Sequence, residues 1–274
     1  MKTNVIAVKT NALLFAVALL FIWSEAIAWA QTNLVANGSF EAGPAGEGVF
    51  TDWNWLGPAD GNSSDYGVAQ STSGFDVAEQ GNYYAYFRGH PTDNSQDCLG
   101  TGMRLKLGGL YNVSYYLGSD GPLTNGAAMW VVIGPSFGID YSQDVSLTQY
   151  FPYSATALPY QKFSTIYLAT NTSPILSFHG INATNGVAVT NGILLDNVSM
   201  VLAYPPLKLN YSRPTTLAFT WPFTNSPYRL QSAPTLTATS WTTLTNLPVN
   251  LGTNNQIALT GATNQTLFYR LTLP

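Results

Sequence analysis

Aromatic residues that stand close to polar residues are the part of this sequence best suited to recognising a ligand. Trp53 and Trp55 are two positions apart, so an extended segment would direct both side chains to one side. Tyr86 and Trp130 occur in two later segments, and Arg88 follows Tyr86 by two positions. Aromatic rings can stack on the apolar C–H faces of sugar rings, while a few polar side chains fix the hydroxyl groups. These five residues are the predicted ligand-binding set.

The loop after Tyr86 offers two further polar candidates, His90 and Asp93, as partners for hydroxyl groups. The alternative for any single aromatic residue is that it fills the core, because large rings mainly supply buried area. Aromatic residues make up 13% of the chain, however, which is more than a core of this size needs. We therefore expect several of them to lie on an exposed sheet face.

The sequence lacks the residue patterns of catalytic sites. His90 and His179 are the only histidines, and neither has the spacing of a metal site. The one G-x-S-x-G match, at 134–138 (G-P-S-F-G), is not followed by a predicted helix, which a nucleophile elbow requires, and the acidic residues are scattered singly rather than paired as in glycosidases. His179 is predicted to be structural, and Cys98, which has no basic neighbour in the sequence, is predicted to be inert. We expect a non-catalytic protein.

The N-terminus has the three parts of a secretion signal. Lys2 and Lys9 precede the apolar run 13–23, and Ala28-Trp29-Ala30 offers a cleavage site before Gln31. The alternative is a retained anchor, although the apolar run is short for a membrane span. We therefore predict that residues 1–30 are removed and that the protein is extracellular, periplasmic or on the cell surface.

The charge and the cysteine content indicate which binding partners and cross-links are not expected. Without residues 1–30 the chain has 8 basic and 13 acidic residues and no basic cluster in its sequence. Binding to nucleic acid or insertion into a membrane after cleavage is therefore not expected. Cys98 is the only cysteine, so no intramolecular disulfide can form. Nothing in the sequence indicates an oligomer, and we expect a monomer.

Short segments rich in β-branched and aromatic residues, bounded by Gly, Pro, Asn and Asp, recur along the chain. The segment 111–117 alternates, with Tyr111, Val113, Tyr115 and Leu117 on one face. Further strands are predicted at 83–87, 103–107, 129–133, 163–168, 175–178 and 192–202. No segment shows sustained helical periodicity, so the pattern predicts an antiparallel sandwich of two sheets.

Two distant stretches carry a resemblance to a known family. Residues 33–41 read N-L-V-A-N-G-S-F-E, interpreted as a kinked first strand, and residues 192–202 read G-I-L-L-D-N-V-S-M-V-L. They resemble the opening and closing strands of secreted jelly-roll modules of the galactose-binding-like and carbohydrate-binding type. Residues 78–85, 109–115 and 163–178 are similar to internal strands of the same modules. The resemblance implies a jelly roll over residues 31–203 that binds carbohydrate.

The same resemblance implies a structural calcium ion that joins the first and last strands. It assigns Glu41 and Asp196 as carboxylate ligands, with Ser39 as a weaker candidate for a carbonyl ligand. Calcium prefers sites of six to eight oxygen ligands, which irregular backbone beside strands can supply. The alternative is that both carboxylates accept hydrogen bonds from backbone amides at strand ends.

Tyr204-Pro205-Pro206 forms a stiff break and is the predicted linker, 204–206. Residues 207–274 resemble the small fibronectin-like β-module that ends many bacterial secreted proteins. Trp221, Tyr228, Trp241 and the run 268–270 (F-Y-R) carry this resemblance. The two tryptophans are predicted to belong to the core of a second, small β-sandwich domain.

The sequence thus predicts an all-β protein, an antiparallel jelly-roll β-sandwich followed by a second, small β-sandwich domain. The predicted function is non-catalytic recognition of an extracellular polysaccharide by aromatic stacking. The alternative is a structural or adhesive protein of the matrix or cell surface that does not bind sugar.

Overall fold

The structure is a computed structural model, and all the secondary structure that it describes is β. The described residues are 6–8, 32–43, 45–47, 50–56, 66–71, 77–88, 97–123, 127–135, 145–152, 154–181, 191–205, 207–212, 216–222, 228–260 and 267–273. Within these ranges no helix is long and apolar enough to cross a membrane.

The strands are, in chain order, β1 (Ile6–Val8), β2 (Gly46–Glu47), β3 (Asn54–Leu56), β4 (Tyr66–Gln70), β5 (Tyr83–Phe87), β6 (Asp97–Gly102), β7 (Leu110–Ser119), β8 (Ala128–Gly134), β9 (Val145–Tyr150), β10 (Gln161–Leu168), β11 (Ile175–Ile181), β12 (Ile193–Ala203), β13 (Lys208–Ser212), β14 (Thr216–Pro222), β15 (Arg229–Ala233), β16 (Thr242–Thr243), β17 (Val249–Asn250), β18 (Asn254–Leu259) and β19 (Leu267–Thr272).

The larger sandwich consists of strands β2 to β12. One sheet has six strands in the order β10-β7-β12-β5-β4-β2, and the other has five in the order β3-β6-β11-β8-β9. Neighbouring strands are antiparallel throughout both sheets. Residues of both sheets form one core, including Tyr115 and Leu195 from the first sheet and Met129 and Phe178 from the second. This architecture confirms the predicted antiparallel jelly-roll sandwich.

Strand β7 shows how the sequence pattern produces this packing. Tyr111, Val113, Tyr115 and Leu117 are all buried in the core between the two sheets, as their alternation predicts. β7 lies between β10 and β12, so its backbone is hydrogen-bonded on both sides. Burial of these alternating side chains fixes the register, because a shift of one residue would turn every core side chain outward.

The opening segment differs from its prediction, since residues 32–43 form turns rather than a strand. Asn37 and Phe40 adopt positive φ angles of 48° and 58°, which interrupt any extended alternation. The Asn37 side chain stabilises this conformation through hydrogen bonds with the backbone of Ala42 and Thr51. The interpretation of residues 33–41 as a kinked first strand is therefore wrong.

The same segment is tied to an irregular point in β12. The pairing of β12 with β7 shifts register between Asp196 and Ser199. Asn33 bonds the backbone of Val198 and Met200 there, and the Val198 amide donates to the Gly38 carbonyl at 2.7 Å. The motif N-x-x-x-N-G therefore joins the opening segment of the domain to its last strand, β12, by hydrogen bonds.

A second difference concerns residues 103–107, which were predicted to form a strand. The strand is β6, which ends at Gly102, and residues 103–107 form a loop. The amides of Met103 and Leu105 donate to the carbonyls of Pro174 and Thr172, which belong to another loop. Their side chains still enter the core, so the apolar alternation reflects burial without a sheet partner.

The C-terminal module is a second, smaller sandwich, as predicted. Its four-stranded sheets have the orders β1-β19-β15-β16 and β13-β14-β18-β17. Its separate core contains Phe219, Trp221, Leu230 and Tyr269. Trp221 is 1% exposed, which confirms its predicted core position. Trp241 is only partly buried and lies under the Arg270 guanidinium, so the core prediction is wrong for Trp241.

The two modules touch where the chain passes from one to the other. The Tyr228 hydroxyl donates to the Ala203 carbonyl at 2.8 Å and accepts from the Leu110 amide at 3.4 Å. The rings of Tyr204 and Tyr228 meet edge to face at 6.1 Å. Pro206 and most of the predicted signal, 1–30, lie outside the described residues, although β1 pairs with β19. The domain boundary at 204–206 stays a prediction.

Candidate functional site

The two carboxylates assigned to calcium are engaged by one short backbone segment. Glu41 Oε1 accepts hydrogen bonds from the amides of Asn82 and Tyr83, each at 2.8 Å. Asp196 Oδ2 accepts from the Gln80 amide at 3.0 Å, and Asp196 Oδ1 from the amide of Asn197 at 2.6 Å. The carboxylates therefore hold the turn before β5 against the opening segment and β12.

Asn197 reinforces this arrangement from the irregular point of β12. It adopts a positive φ of 49°, and its side-chain amide donates to Glu79 Oε2 and Gln80 Oε1 at 3.1 and 3.0 Å. Asp196 itself is fully buried, and burial raises its pKa to about 7, opposed by hydrogen bonds from backbone amides. The carboxylates of Glu41 and Asp196 thus stabilise the turn before β5 by accepting hydrogen bonds from its backbone amides.

These contacts do not test the calcium site predicted from Ser39, Glu41 and Asp196, which stays a prediction. Both Asp196 oxygens and one Glu41 oxygen accept amide hydrogens, and each carboxylate oxygen has a second lone pair that such a contact does not use. Across the described ranges, no group of three or more His, Cys, Asp or Glu residues could hold a metal ion. The geometry matches the alternative in which carboxylates satisfy backbone donors.

The described side chains of the predicted ligand-binding set lie in three different places: the core, the outer face of one sheet and the outer face of the other. Trp53 is 5% exposed and lies in the core between the sheets, so its prediction as a stacking platform is wrong. Its ring stacks on Phe40 at 5.4 Å and meets Phe178 at 6.1 Å, and its Nε1–H donates to the Asn37 carbonyl. Asp52, immediately before Trp53, has a positive φ of 66°, so the backbone turns just before β3.

Three other candidates lie partly or wholly outside the described residues. The backbone of Trp55 belongs to β3 and pairs with Leu99 of β6, and its side chain is outside the description. His90 and Asp93 both fall in the undescribed range 89–96. Their predicted contacts with a ligand stay predictions.

Tyr86 and Arg88 lie on the outer face of the six-stranded sheet. Tyr86 is 6% exposed and packs with Tyr84 and Leu194, against which Tyr160 is also packed. The guanidinium of Arg88 stands 4.7 Å above the Tyr86 ring. Tyr86 is therefore a buried contact of this face, and the prediction that its ring is open to a sugar is wrong.

Trp130 lies on the outer face of the other sheet. Its neighbours in sequence, Met129 and Val131, enter the core, so Trp130 points to the opposite side of β8, where it is partly exposed. Thr148 of β9 stands directly opposite Trp130, and Tyr150 stands opposite Ala128 on the same face. Tyr150 is 76% exposed.

Tyr150 was not predicted, although the alternation V-S-L-T-Q-Y in β9 contains the signal. Leu147 packs on the core and Gln149 hydrogen-bonds Tyr115, which directs Thr148 and Tyr150 outward. Diagonal neighbours in an antiparallel pair are about 7–8 Å apart, within reach of two aromatic side chains. Trp130 and Tyr150 are thus diagonal neighbours on the outer face of β8 and β9, at one edge of the five-stranded sheet; we call this surface the Trp130 face.

Beside Trp130, three side chains of the same face form a buried polar cluster. His179 is opposite Trp130 in β11, and its Nε2 lies 3.0 Å from Ser177 Oγ and 3.4 Å from Cys98 Sγ. Burial lowers the pKa of His179 to about 4, so the ring is neutral at neutral pH. Cys98 therefore does have a histidine neighbour, which pairing of β6 with β11 provides and sequence spacing did not reveal.

Comparison with known proteins gives similarity of overall shape alone. No family model and no curated protein matches the sequence. Among solved structures, TmCBM61 in complex with β-1,4-galactotriose is 15% identical, with a TM-score of 0.44 over 63% of this chain and 100% of that chain.

Two further structures differ in the activity that their descriptions state. The K1 cleaved adhesin domain of Lys-gingipain from Porphyromonas gingivalis W83 is 16% identical, with a TM-score of 0.43 over 61% of this chain and 96% of that chain. The arabinose-bound α-L-arabinofuranosidase MgGH51 is 13% identical, with a TM-score of 0.45 over 63% of this chain and 26% of that chain. At this level of similarity the neighbours assign no ligand to this chain.

Proposed function

We propose that this is a secreted, non-catalytic protein that binds a neutral polysaccharide on the Trp130 face. The observation that carries the proposal is the pairing of partly exposed Trp130 with highly exposed Tyr150 on one outer sheet face. Two neighbouring rings on a regular sheet, one partly and one highly exposed, offer a surface on which successive sugar units can stack.

The polar groups of this face favour a neutral polymer. Thr148 lies between the two rings in the register and supplies a hydroxyl for sugar hydroxyl groups. His179, Ser177 and Cys98 beside Trp130 are buried, and His179 is neutral at neutral pH because burial lowers its pKa to about 4. Binding on such a face should depend little on salt, because no ion pair is involved.

The test is retention of the protein by soluble neutral polysaccharides in affinity electrophoresis. By analogy with stacking of nucleic-acid bases, loss of one stacking ring costs on the order of 1–3 kcal/mol. Trp130→Ala and Tyr150→Ala should therefore each weaken retention roughly five- to 150-fold. Tyr116→Ala is the matched control, because Tyr116 is a partly exposed ring on the other sheet.

Retention that survives both substitutions, or that Tyr116→Ala reduces equally, would contradict the proposed face. If the wild-type protein ignores every neutral polysaccharide in the panel, the structural or adhesive alternative replaces sugar binding. Because both rings are at the surface, the melting temperature of the Tyr150 variant should stay within about 2 °C of wild type.

A further inference from the structure

The C-terminal module has an unusual distribution of charge. Residues 207–274 contain four basic residues, Lys208, Arg213, Arg229 and Arg270, and no aspartate or glutamate. Residues 31–203 contain 13 acidic and 4 basic residues. The side chains of the small module therefore carry a formal charge of +4 at pH 7, next to a jelly roll that carries −9. This contrast cannot be seen in the net charge of the whole chain.

Strand pairing gathers two of these arginines on one surface. Arg229 of β15 stands opposite Thr272 of β19, and Gln231 stands opposite Arg270. Leu230, between Arg229 and Gln231, enters the module core, so these four polar side chains all lie on the outer face of the sheet. Arg229 and Arg270 are diagonal neighbours on two paired strands, a relation in which the residues are about 7–8 Å apart. We call this surface the Arg270 face.

The Arg270 guanidinium is held in a fixed plane. Its central carbon lies 4.3 Å from the centre of the Trp241 ring. Its Nε donates to Gln231 Oε1 at 2.9 Å, and Gln231 Nε2 donates to Thr243 Oγ1 at 3.0 Å. A guanidinium oriented in advance loses less entropy when it binds a planar anion. Toward the described residues Arg270 donates a hydrogen bond only through its Nε, so the in-plane N–H groups of its two terminal nitrogens remain as donors.

We propose that the Arg270 face binds a carboxylate-bearing polysaccharide. Terminal nitrogens of a guanidinium can donate two parallel hydrogen bonds to one carboxylate, and Arg229 supplies a second cation for the next acidic sugar unit. No acidic side chain of the module opposes such a polymer. This face is distinct from the Trp130 face, which belongs to the other module and takes a neutral polymer.

The charge of the face favours an anionic polymer, since its paired strands carry two arginines and no carboxylate. Arginine and aromatic residues also occur in protein interfaces, and the partly buried rings of Trp241 and Phe268 lie near Arg270, so a protein partner is separated by experiment. The most exposed apolar residues of the module, Leu247, Val249 and Leu251, lie in and beside β17 of the opposite sheet. A second copy of the acidic jelly roll is the competing occupant, and the experiment separates the two.

The test measures retention of the full-length protein by polygalacturonate, a carboxylate-bearing polysaccharide, in affinity electrophoresis at low ionic strength. Arg270→Gln and Arg229→Gln should each weaken retention on the order of tenfold, since each removes a charge-assisted contact. Lys208→Gln is the matched control, because it removes the same charge from an exposed position on the other sheet of the module. Arg270→Lys, which keeps the charge and loses the planar fork, should also weaken retention.

Three results would overturn the proposal. The first is that the wild-type protein is not retained by polygalacturonate. The second is that Lys208→Gln weakens retention as much as the arginine substitutions, which would indicate net charge without a site. The third is a salt-sensitive dimer in analytical ultracentrifugation that Arg270→Gln abolishes while retention stays intact, which would assign the face to a second copy. Trp130→Ala should leave polygalacturonate retention unchanged, so the two sites fail independently.

Discussion

Two buried ionisable side chains should give the stability of the jelly roll two opposing dependences on pH. Burial lowers the pKa of His179 from 6.5 to about 4 and raises the pKa of Asp196 from 3.8 to about 7. Between about pH 4 and 6.5, His179 is protonated in the unfolded chain and neutral in the folded protein. Between about pH 4 and 7, Asp196 is ionised in the unfolded chain and protonated in the folded protein. The free energy of unfolding should therefore rise with pH because of His179 and fall with pH because of Asp196.

The two effects are similar in size. One pKa unit corresponds to about 1.36 kcal/mol, so the His179 shift contributes about 3 kcal/mol between pH 4 and 6.5. The Asp196 shift contributes about 4 kcal/mol with the opposite sign between pH 4 and 7. We expect the wild-type protein to show a nearly flat profile because the two slopes cancel.

Single substitutions should reveal each slope. Asp196→Asn leaves His179, so its free energy of unfolding should increase by about 3 kcal/mol from pH 4 to 6.5. His179→Gln leaves Asp196, so its free energy of unfolding should decrease by about 4 kcal/mol from pH 4 to 7. Urea unfolding followed by tryptophan fluorescence at several pH values measures both slopes.

The comparison uses slopes, so a uniform loss of stability in either variant does not affect it. The double variant should again be nearly flat, which serves as the internal control. If both single variants keep the wild-type profile, burial does not shift these two groups as described. A slope of the opposite sign in either variant would refute the reasoning directly.

Four further results are expected from the same structure. Trp53→Ala should lower the free energy of unfolding by about 3–5 kcal/mol in urea titrations, because the ring fills the core and bonds Asn37; an unchanged midpoint would place the ring at the surface. Addition of a chelator should leave the melting temperature unchanged if Glu41 and Asp196 only accept backbone amides, and a clear decrease would support the calcium prediction. Tyr228→Phe should cost about 1–2 kcal/mol in urea titrations by removing the hydroxyl that joins the modules, and no loss would show that this contact is dispensable. N-terminal sequencing of exported protein should begin at Gln31, and a chain that retains residues 1–30 would contradict signal cleavage.

Much of the fold could be predicted because its information is local. Alternation in 111–117 placed four side chains in the core, since successive residues of a strand point to opposite faces. Trp221 was correctly assigned to the core of the second sandwich. The alternation at 103–107 gave a wrong prediction of a strand. Met103 and Leu105 are buried without belonging to a sheet, and their amides donate to the carbonyls of another loop.

The candidate site depended on pairing between distant strands, which no local pattern specifies. Trp53 and Trp130 are both tryptophans in β-rich segments, yet one lies between the sheets and the other on an outer face. Strand register also brought Tyr150 beside Trp130 and Arg229 beside Arg270. The sequence by itself determined which residues can stack on a sugar or bind an anion. The tertiary structure alone decided which of them share a face, because register and layer order arise from packing of the whole chain.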